Sequence, residues 1–179
     1  MIAINEFIPG FYTDFPLDPA LEPWIITQNI LQLIHTIFPS TTMEYDIADE
    51  IAIHRTAVIE PGAVLKGPAI IGAGCFIAAH AYLRGGVVLG NSAKIGTGCE
   101  IKASFICSGS AIAHFNFIGD SIIGSGVNFE AGSIIANHYN ERTNKRILVA
   151  YQGQLIDTGI EKFGALIGNG SRVGANAVL

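Results

Sequence analysis

The sequence carries little charge, few cysteines and no long uninterrupted apolar run. Of its 179 residues 14% are charged, and the formal net charge is −5. The ten lysines and arginines are scattered, whereas nucleic-acid-binding proteins present clustered basic side chains. No apolar run approaches the roughly 18 residues that a membrane span needs, and the first residues lack a secretory signal pattern. We therefore expect no nucleic-acid partner and no membrane partner.

Cysteine is represented by Cys75, Cys99 and Cys107 alone, an odd number without a paired framework. All three fall on positions of the repeat described below, which predicts that they are small apolar groups inside the fold. Unpaired internal thiols are typical of a reducing compartment. We therefore expect a cytoplasmic protein.

What the sequence does contain is an aliphatic residue at every sixth position. The register positions are Ile53, Ile59, Leu65, Ile71, Ile77, Leu83, Leu89, Ile95 and Ile101, with Cys107 and Ala113 closing the series. A second small or branched residue follows most of them four positions later. This spacing fits neither the 3.6 period of a helix nor strand alternation. Hexapeptide repeats are typical of a parallel β-helix, so the predicted fold class is all-β.

The hexad pattern resembles the left-handed β-helix family, whose prism-shaped coils contain three hexads per turn. The left-handed coiling is implied by this resemblance, because ordinary parallel crossovers are right-handed. Half of the residues are hydrophobic, which suits a continuous apolar axis and faces covered by partner subunits. Oligomerisation is therefore expected.

The chain divides into an N-terminal region, residues 1–50, and a β-helix, residues 51–179. Residues 1–17 are predicted to be an extended aromatic arm, and an amphipathic helix is predicted from Asp18, its N-cap, to Phe38. This helix either caps the open first coil or binds a partner. Residues 40–52 are interpreted as a linker. A loop excursion at about 136–166 leaves the hexad register, and it is either solvated or functional.

Two basic residues stand out among the outward positions of the repeat. Arg84 and Lys102 each follow an aliphatic register position, eighteen residues apart. With three hexads per coil, both should project from one face on successive coils, about 5 Å apart. Two stacked cations would form an anion site, and the alternative is that both are solvated surface charges.

The register slips after Ala113. The next apolar positions are Phe117, Ile123, Phe129 and Ile135. Departures from an otherwise strict repeat are where function tends to lie. His114 lies at this slip on an outward position, and a lone outward histidine is either inert or catalytic. The irregularity and the nearby cations favour catalysis.

The run from residue 100 to residue 137, EIKASFICSGSAIAHFNFIGDSIIGSGVNFEAGSIIAN, resembles the acetyltransferase half of bifunctional N-acetylglucosamine-1-phosphate uridylyltransferases. The resemblance extends over about residues 53–179. It implies an N-acetyltransferase that moves an acetyl group from acetyl-coenzyme A to glucosamine 1-phosphate, in UDP-N-acetylglucosamine synthesis. It also implies a homotrimer with its sites at the subunit contacts.

The resemblance implies roles for individual residues. His114 falls on the catalytic base, which Glu100 would orient, and Asn137 would align the amine or the carbonyl. The implied sugar-phosphate residues are Arg84, Lys102, Phe117, Asn128 and Lys145. Ala131 and Tyr139 would lie against acetyl-coenzyme A. The resemblance implies no metal ligand.

Three departures from the family pattern carry expectations of their own. Phe117 stands where the family has a tyrosine, so the choice of sugar could differ. Residues 1–52 lack a Gly-rich nucleotide-binding start, so uridylyltransferase activity is expected to be absent. The sequence ends at Leu179, where the family has further coils that help to bind acetyl-coenzyme A. Either cofactor affinity is poor or another subunit covers this end.

Three other functions stay open at this stage. The chain could be a non-catalytic sugar-phosphate or sugar-nucleotide binding module, or an acyltransferase for a different amino sugar. A third alternative is a metal site at a subunit contact, as in the γ-class carbonic anhydrases that share this fold. Those enzymes place two ligand histidines five residues apart. No such pair exists among His54, His80, His114 and His138.

Overall fold

A computed structural model describes residues 2–39 and 43–179, and residues 51–179 form a three-sided parallel β-solenoid of about five turns. The hexapeptide repeats imply left-handed coiling. The predicted all-β, left-handed parallel β-helix is therefore confirmed. We call the three sides face A, face B and face C in chain order, and name each corner by the faces that it joins.

Short strands stack in parallel on each face. Face A contains Ile51–His54, Ala69–Ile71, Ile122–Ile123 and Leu166–Ile167, and face B contains Val58–Ile59, Phe76–Ile77, Lys94–Ile95, Ala111–Ile112, Asn128–Phe129 and Arg172–Val173. Face C contains Val64–Leu65, Phe117–Gly119 and Ile134–Ile135. Two longer strands, Tyr82–Leu89 and Glu100–Ile106, run from face C around corner CA into face A.

The hexad register fixes the coil length. Ile53 pairs with Ile71, and Ile71 pairs with Leu89, each eighteen residues further along the chain. These aliphatic residues fill the solenoid axis, and Ile71, Leu83 and Ile101 are fully buried there. Burying one such side chain contributes roughly 1.5–3 kcal/mol. Equivalent side chains therefore stack on one another, and the sequence repeat dictates the coil.

After Ile101 the observed register differs from the predicted one. Ile106 pairs with Leu89, and Ile118 pairs with Ile101. The inward positions are therefore Ile106, Ile112 and Ile118, and the predicted positions Cys107, Ala113 and Phe117 were wrong. The predicted slip at His114 was wrong as well, because the register shortens between Ile101 and Ile106 and between Ile118 and Ile123 instead.

The cause of this error is that the strand at residues 105–107 is apolar on both sides. Ile106 points into the axis, whereas Phe105 and Cys107 are buried outside it, under the N-terminal region. Three consecutive apolar residues leave the inward one unspecified by spacing alone. A one-residue shift of register moves every side chain to the opposite side.

The N-terminal region contains a 3₁₀ turn, Ile4–Glu6, and the helices α1, Phe11–Asp14, α2, Pro23–Gln28, and α3, Ile30–Ile37. The predicted amphipathic helix is present from Pro23 to Ile37, but it is interrupted at Asn29 and does not begin at Asp18, and the predicted extended arm before it was wrong. The Asp18 carboxylate accepts from the Ala20 N–H, 2.9 Å away, within a local turn. The first longer helix begins at Pro23 instead, because the fixed φ of proline suits the first helical position.

This region covers face A rather than the first coil, contrary to the predicted cap. Its buried side chains pack on the outward residues Ile70, Val88 and Phe105 of that face. Gly86, with φ +91°, permits the approach of α3, because a Cβ there would lie 2.8 Å from Ile30. The first coil is extended by an antiparallel pair of strands, Tyr45–Ala48 and Ile51–His54. Of the predicted linker, residues 40–42 lie outside the described residues.

The loop excursion leaves the solenoid at corner CA and contains an antiparallel hairpin of Leu148–Tyr151 and Gln154–Asp157. The solenoid resumes where Ile167 pairs with Ile123, as the sequence predicts. The Tyr151 hydroxyl donates to the Glu6 carboxylate, 2.6 Å away. The loop and the N-terminal region are therefore in contact.

All three cysteines are buried and free, and burial raises the pKa of each thiol, to about 12 for Cys107. We expect iodoacetamide at pH 8 to leave them unmodified in the folded protein and to alkylate all three after unfolding, as counted by mass spectrometry. Because the folded-state pKa is raised, the protonated thiol stabilises the fold below pH 9. This stabilisation is lost as the pH rises toward 12. Equal alkylation of folded and unfolded protein would contradict the burial of the three thiols.

Candidate active site

Between residues 53 and 135, the spacing of the inward residues departs from six only at corner CA. The inward residues on either side of this corner are six positions apart in the first two coils and five apart in the next two, at Ile101 to Ile106 and at Ile118 to Ile123. The loop excursion replaces this corner in the following coil. A repeat interrupted at one corner alone points to a site there.

Arg84 and Lys102 are direct neighbours in register at this corner, as their spacing predicts. Lys66 follows Leu65, which pairs with Leu83. Lys66 therefore lies one coil before Arg84, in the same column of stacked outward residues. The sequence signal for Lys66 was the same eighteen-residue spacing, and the prediction missed it. The column therefore contains three cations on successive coils.

Both predicted cations already have carboxylate partners. The Arg84 guanidinium donates to Glu100 at 2.7 Å, and the Lys102 ammonium donates to both oxygens of Asp120, at 3.1 and 2.8 Å. The side chains of the first pair are 37% and 32% exposed, and those of the second pair 18% and 10%. The Arg84 pair is therefore the more screened by water and the weaker of the two. Neither cation is a bare surface charge.

Asp120 is a second residue of this corner that sequence reasoning missed. Its carboxylate accepts from Lys102 and also from the side-chain amide of Asn137. The residue has φ +50°, a left-handed conformation that aspartate tolerates better than most residues. Lys102 and Asn137, two predicted site residues from distant stretches, are thus joined by one carboxylate.

Phe117 lies on the outer surface of face C, in register with Glu100. A Cβ on Gly119 would lie 2.8 Å from the Phe117 ring and 2.7 Å from the Asn137 amide nitrogen. A larger residue at position 119 would therefore separate these two groups. The structure thus brings together Arg84, Lys102, Glu100, Phe117 and Asn137 at one edge of face C.

His114 lies at the opposite edge of face C, on corner BC, with an exposed side chain. Its carbonyl accepts from the Gly132 N–H at 2.8 Å, which places Ala131 one coil beyond it. Asn128 lies on the neighbouring face B, in register with Ala111. His114 lies five positions before Gly119, the register partner of Lys102, and a stretch of that length spans up to about 17 Å. One chain therefore presents two groups of predicted residues, one at each edge of face C.

The implied contact of Glu100 with His114 is not the contact that its carboxylate makes here. Glu100 accepts from Arg84 instead. Because its carboxylate is paired with Arg84, Glu100 belongs in a single chain to the group at corner CA.

Two of the predicted residues, Tyr139 and Lys145, lie in the loop excursion. The Tyr139 ring stacks with the Arg142 guanidinium, 3.6 Å from the ring centroid, and packs against a cluster that includes Trp24 and Phe163. Lys145 is partly exposed in the same loop. Tyr139 also lines a cavity of about 570 Å³ beside His138.

A second cavity, of about 510 Å³, opens directly over corner CA. Its base contains Lys102 and Asp120, one wall is formed by α2 and α3, and the other by the end of the loop. Thr27 and Gln28 line the helical wall, and Lys162 lines the loop wall. The N-terminal region therefore contributes directly to the surroundings of Lys102.

Among the residues that the structure describes, no group of three or more His, Cys, Asp or Glu side chains is placed to hold a metal ion. Within residues 2–39 and 43–179, no helix combines the length and the apolar character needed to cross a bilayer.

Comparisons with known proteins agree with the fold. The family model described as bacterial transferase hexapeptide (six repeats) matches residues 50–85 and 68–103. A bifunctional sugar-1-phosphate nucleotidylyltransferase/acetyltransferase of Sulfurisphaera tokodaii is 36% identical over 166 residues, covering 88% of this chain and 40% of its own length. The bifunctional protein GlmU of Carboxydothermus hydrogenoformans is 30% identical over 167 residues, covering 74% of this chain and 37% of its own length.

A third relative, the bifunctional protein GlmU of Desulfitobacterium hafniense, is 37% identical over 133 residues, covering 73% of this chain and 28% of its own length. The chain thus spans two fifths or less of the length of these relatives. The matched repeats, the solenoid and the relatives lead to one conclusion: this chain carries a hexapeptide-repeat transferase domain.

Proposed function

We propose that this domain is a cytoplasmic, acetyl-coenzyme A-dependent N-acetyltransferase whose acceptor is an amino sugar 1-phosphate, glucosamine 1-phosphate in the first instance. Its product would serve the synthesis of UDP-N-acetylglucosamine. The family supports an acyltransferase in general. The acceptor and the coenzyme are inferred from the site residues and from the names of the relatives.

The observation that carries the proposal is the register of Arg84 with Lys102 at the one irregular corner. Two cations on successive coils suit a phosphate dianion, because each can donate a charge-assisted hydrogen bond to it. An ammonium group has three N–H donors, and the two oxygens of Asp120 engage at most two of those of Lys102. At least one donor is left for a phosphate oxygen.

His114 would act as the general base. The amine nitrogen of the sugar attacks the thioester carbonyl carbon, and the C–S bond breaks to release coenzyme A. His114 accepts the proton that the amine loses and returns it to the departing thiolate. A histidine suits this task because its ordinary pKa is close to neutral. Its exposed position at corner BC leaves the imidazole accessible to a substrate.

Acetyl-coenzyme A would bind beside the residues implied for it, Ala131 and Tyr139. Ala131 lies one coil beyond His114, so its surface adjoins the proposed base. Tyr139 lines the cavity of about 570 Å³ next to the loop. Lys145, in the same loop, would add a third positive charge for the phosphate.

The proposed assembly is a homotrimer. Within one chain the base and the phosphate group lie at opposite edges of face C, so a partner that presents its corner BC to corner CA would complete one site. Face A is covered by the N-terminal region, which leaves faces B and C for such contacts. Exposed apolar side chains lie on these two faces, including Val58 and Val64.

The proposed function is tested by measuring thiol release from acetyl-coenzyme A with glucosamine 1-phosphate or with glucosamine as the acceptor. We expect turnover with the phosphorylated sugar and little with the plain sugar. Calorimetric titration with each substrate separates the enzyme from a binding module. Sugar-phosphate binding without turnover would favour the binding module, and absence of both would refute the proposal.

Removing either proposed phosphate ligand should weaken the phosphorylated sugar selectively. For Arg84→Ala and Lys102→Ala we expect the Kd for glucosamine 1-phosphate to rise by roughly 10–100-fold, because a hydrogen bond to a charged group contributes about 1.5–3 kcal/mol. The Kd for glucosamine should change little. Lys94→Ala, an exposed cation on face B, is the matched control. Equal losses for both sugars would rule out an anion site at corner CA.

A further inference from the structure

Asp120 holds two proposed site residues through its side chain. Both carboxylate oxygens accept from the Lys102 ammonium, at 3.1 and 2.8 Å, and one of them also accepts from the Asn137 amide. The Asp120 side chain is 10% exposed and that of Lys102 18%. A partly desolvated carboxylate with two donors has little freedom to move, because losing a partner would leave its charge unsatisfied.

The backbone of Asp120 joins the same elements. Its N–H donates to the Lys102 carbonyl, and its carbonyl accepts from the Gly164 N–H, both at 2.9 Å. Asn137 and Gly164 stand at the two ends of the loop excursion, and the Phe163 N–H donates to the Asn137 carbonyl at 3.0 Å. One residue therefore ties the cation column to both ends of the loop.

We propose that Asp120 is a positioning residue for acetyl transfer, and that it acts by fixing Asn137 relative to Lys102. This inference rests on the proposed function, in which Lys102 binds the phosphate and Asn137 aligns the amine or the carbonyl. In glucosamine 1-phosphate the phosphate and the amine are on adjacent carbons, so the distance between Lys102 and Asn137 decides whether the amine reaches the thioester. A displacement of about 1 Å at such a site can cost roughly 100-fold in rate.

None of the other charged groups described at this corner could fix Asn137 relative to Lys102 in the same way. Glu161 and Lys162 line the cavity above it but are exposed. Glu100 is engaged with Arg84. The ion pair of Asp120 with Lys102 is thus less exposed than that of Arg84 with Glu100, and its side chains are the more restricted in position.

The test is a double-mutant cycle on kcat with glucosamine 1-phosphate and acetyl-coenzyme A. Asp120→Asn keeps the size of the side chain and its tolerance of the left-handed conformation, but it removes the charge that holds Lys102. We expect kcat to fall by about 10-fold or more, in line with the cost of misplacement. In an Asn137→Ala background the same substitution should lower kcat by under about 3-fold, because the residue through which Asp120 acts is gone.

Asp157→Asn is the matched control, since it removes the carboxylate charge of an exposed ion pair with Arg146 in the same loop. It should leave kcat unchanged. If Asp120→Asn fails to fold, Asp120→Ala is introduced together with Lys102→Met, which removes both members of the pair. Because alanine also removes the acceptor for the Asn137 amide, this double variant should have a lower kcat than Lys102→Met alone.

An unchanged kcat in Asp120→Asn would overturn the inference, and so would an equal decrease with and without Asn137. A wild-type protein that transfers no acetyl group would overturn the proposed function itself. An active wild-type protein with an unaffected Asp120→Asn variant would overturn only the positioning role. The two failures are therefore distinguishable.

Discussion

Replacing His114 with alanine is expected to lower the kcat for acetylation of glucosamine 1-phosphate by about 10²–10⁴-fold, the usual contribution of a general base. The fold should be unaffected, because the imidazole is exposed and corner BC is held by backbone hydrogen bonds. Gly132 donates to the His114 carbonyl at 2.8 Å, and Phe115 donates to that of Thr97 at 3.0 Å. Steady-state kinetics and far-UV circular dichroism measure the two expectations.

The control for this substitution is His80→Asn. His80 lies on the same corner two coils earlier, is exposed, and has φ +63°, which asparagine also adopts. Its loss should leave kcat at the wild-type value. If the His114 variant turns over substrate as fast as the wild-type protein, His114 is not the base, and the proposed chemistry loses its proton acceptor.

The largest expected effect on stability comes from Phe105→Ala. Phe105 is fully buried between face A and the N-terminal region, with its ring centroid 5.7 Å from that of Phe11 and 5.3 Å from that of Phe15. Deleting a buried phenyl ring costs about 3–5 kcal/mol, because a cavity is left behind. We expect the free energy of unfolding to fall by that amount in urea titrations.

Phe115→Ala supplies the comparison, since the Phe115 side chain is 68% exposed. Exposed substitutions usually change stability by less than about 0.5 kcal/mol. A loss for Phe105→Ala as small as the one expected for Phe115→Ala would mean that the N-terminal region does not pack on face A in solution. A loss confined to Phe105→Ala would support the observed packing.

The sequence predicted the solenoid and the adjacency of Arg84 with Lys102 because both depend on spacing alone. A strict repeat determines which residues stack, so two residues eighteen positions apart are expected to be neighbours on successive coils. The inward residue at 105–107 was beyond this reasoning, because Phe105, Ile106 and Cys107 are all apolar. Their burial depends on the N-terminal region, which lies far away in the sequence.

The partners of the site residues were not predictable for a related reason. Glu100 and Asp120 accept from Arg84 and Lys102 because of the path of the chain around corner CA, and an acidic residue in a sequence does not reveal which cation it will meet. In the structure Asp120 lies seventeen residues after Ala103, the preceding corner residue with positive φ, but the sequence alone does not show this equivalence. The roles of His114 and Asn137 in catalysis stay predictions.

The cover over face A imposes an order on folding. Residues 4–17 are synthesised before the coils on which they pack, and the Phe7 carbonyl accepts from the Asn169 N–H, 3.0 Å away. The contacts of this segment must therefore wait for residues far downstream, because Phe11 and Phe15 pack on Phe105 and the Phe7 carbonyl hydrogen-bonds to Asn169. Until these residues are present the segment lacks its partner surface, and contacts so distant in sequence form slowly. During this interval, outward side chains such as Val88 and Phe105 are also uncovered, and the nascent chain is most exposed to aggregation.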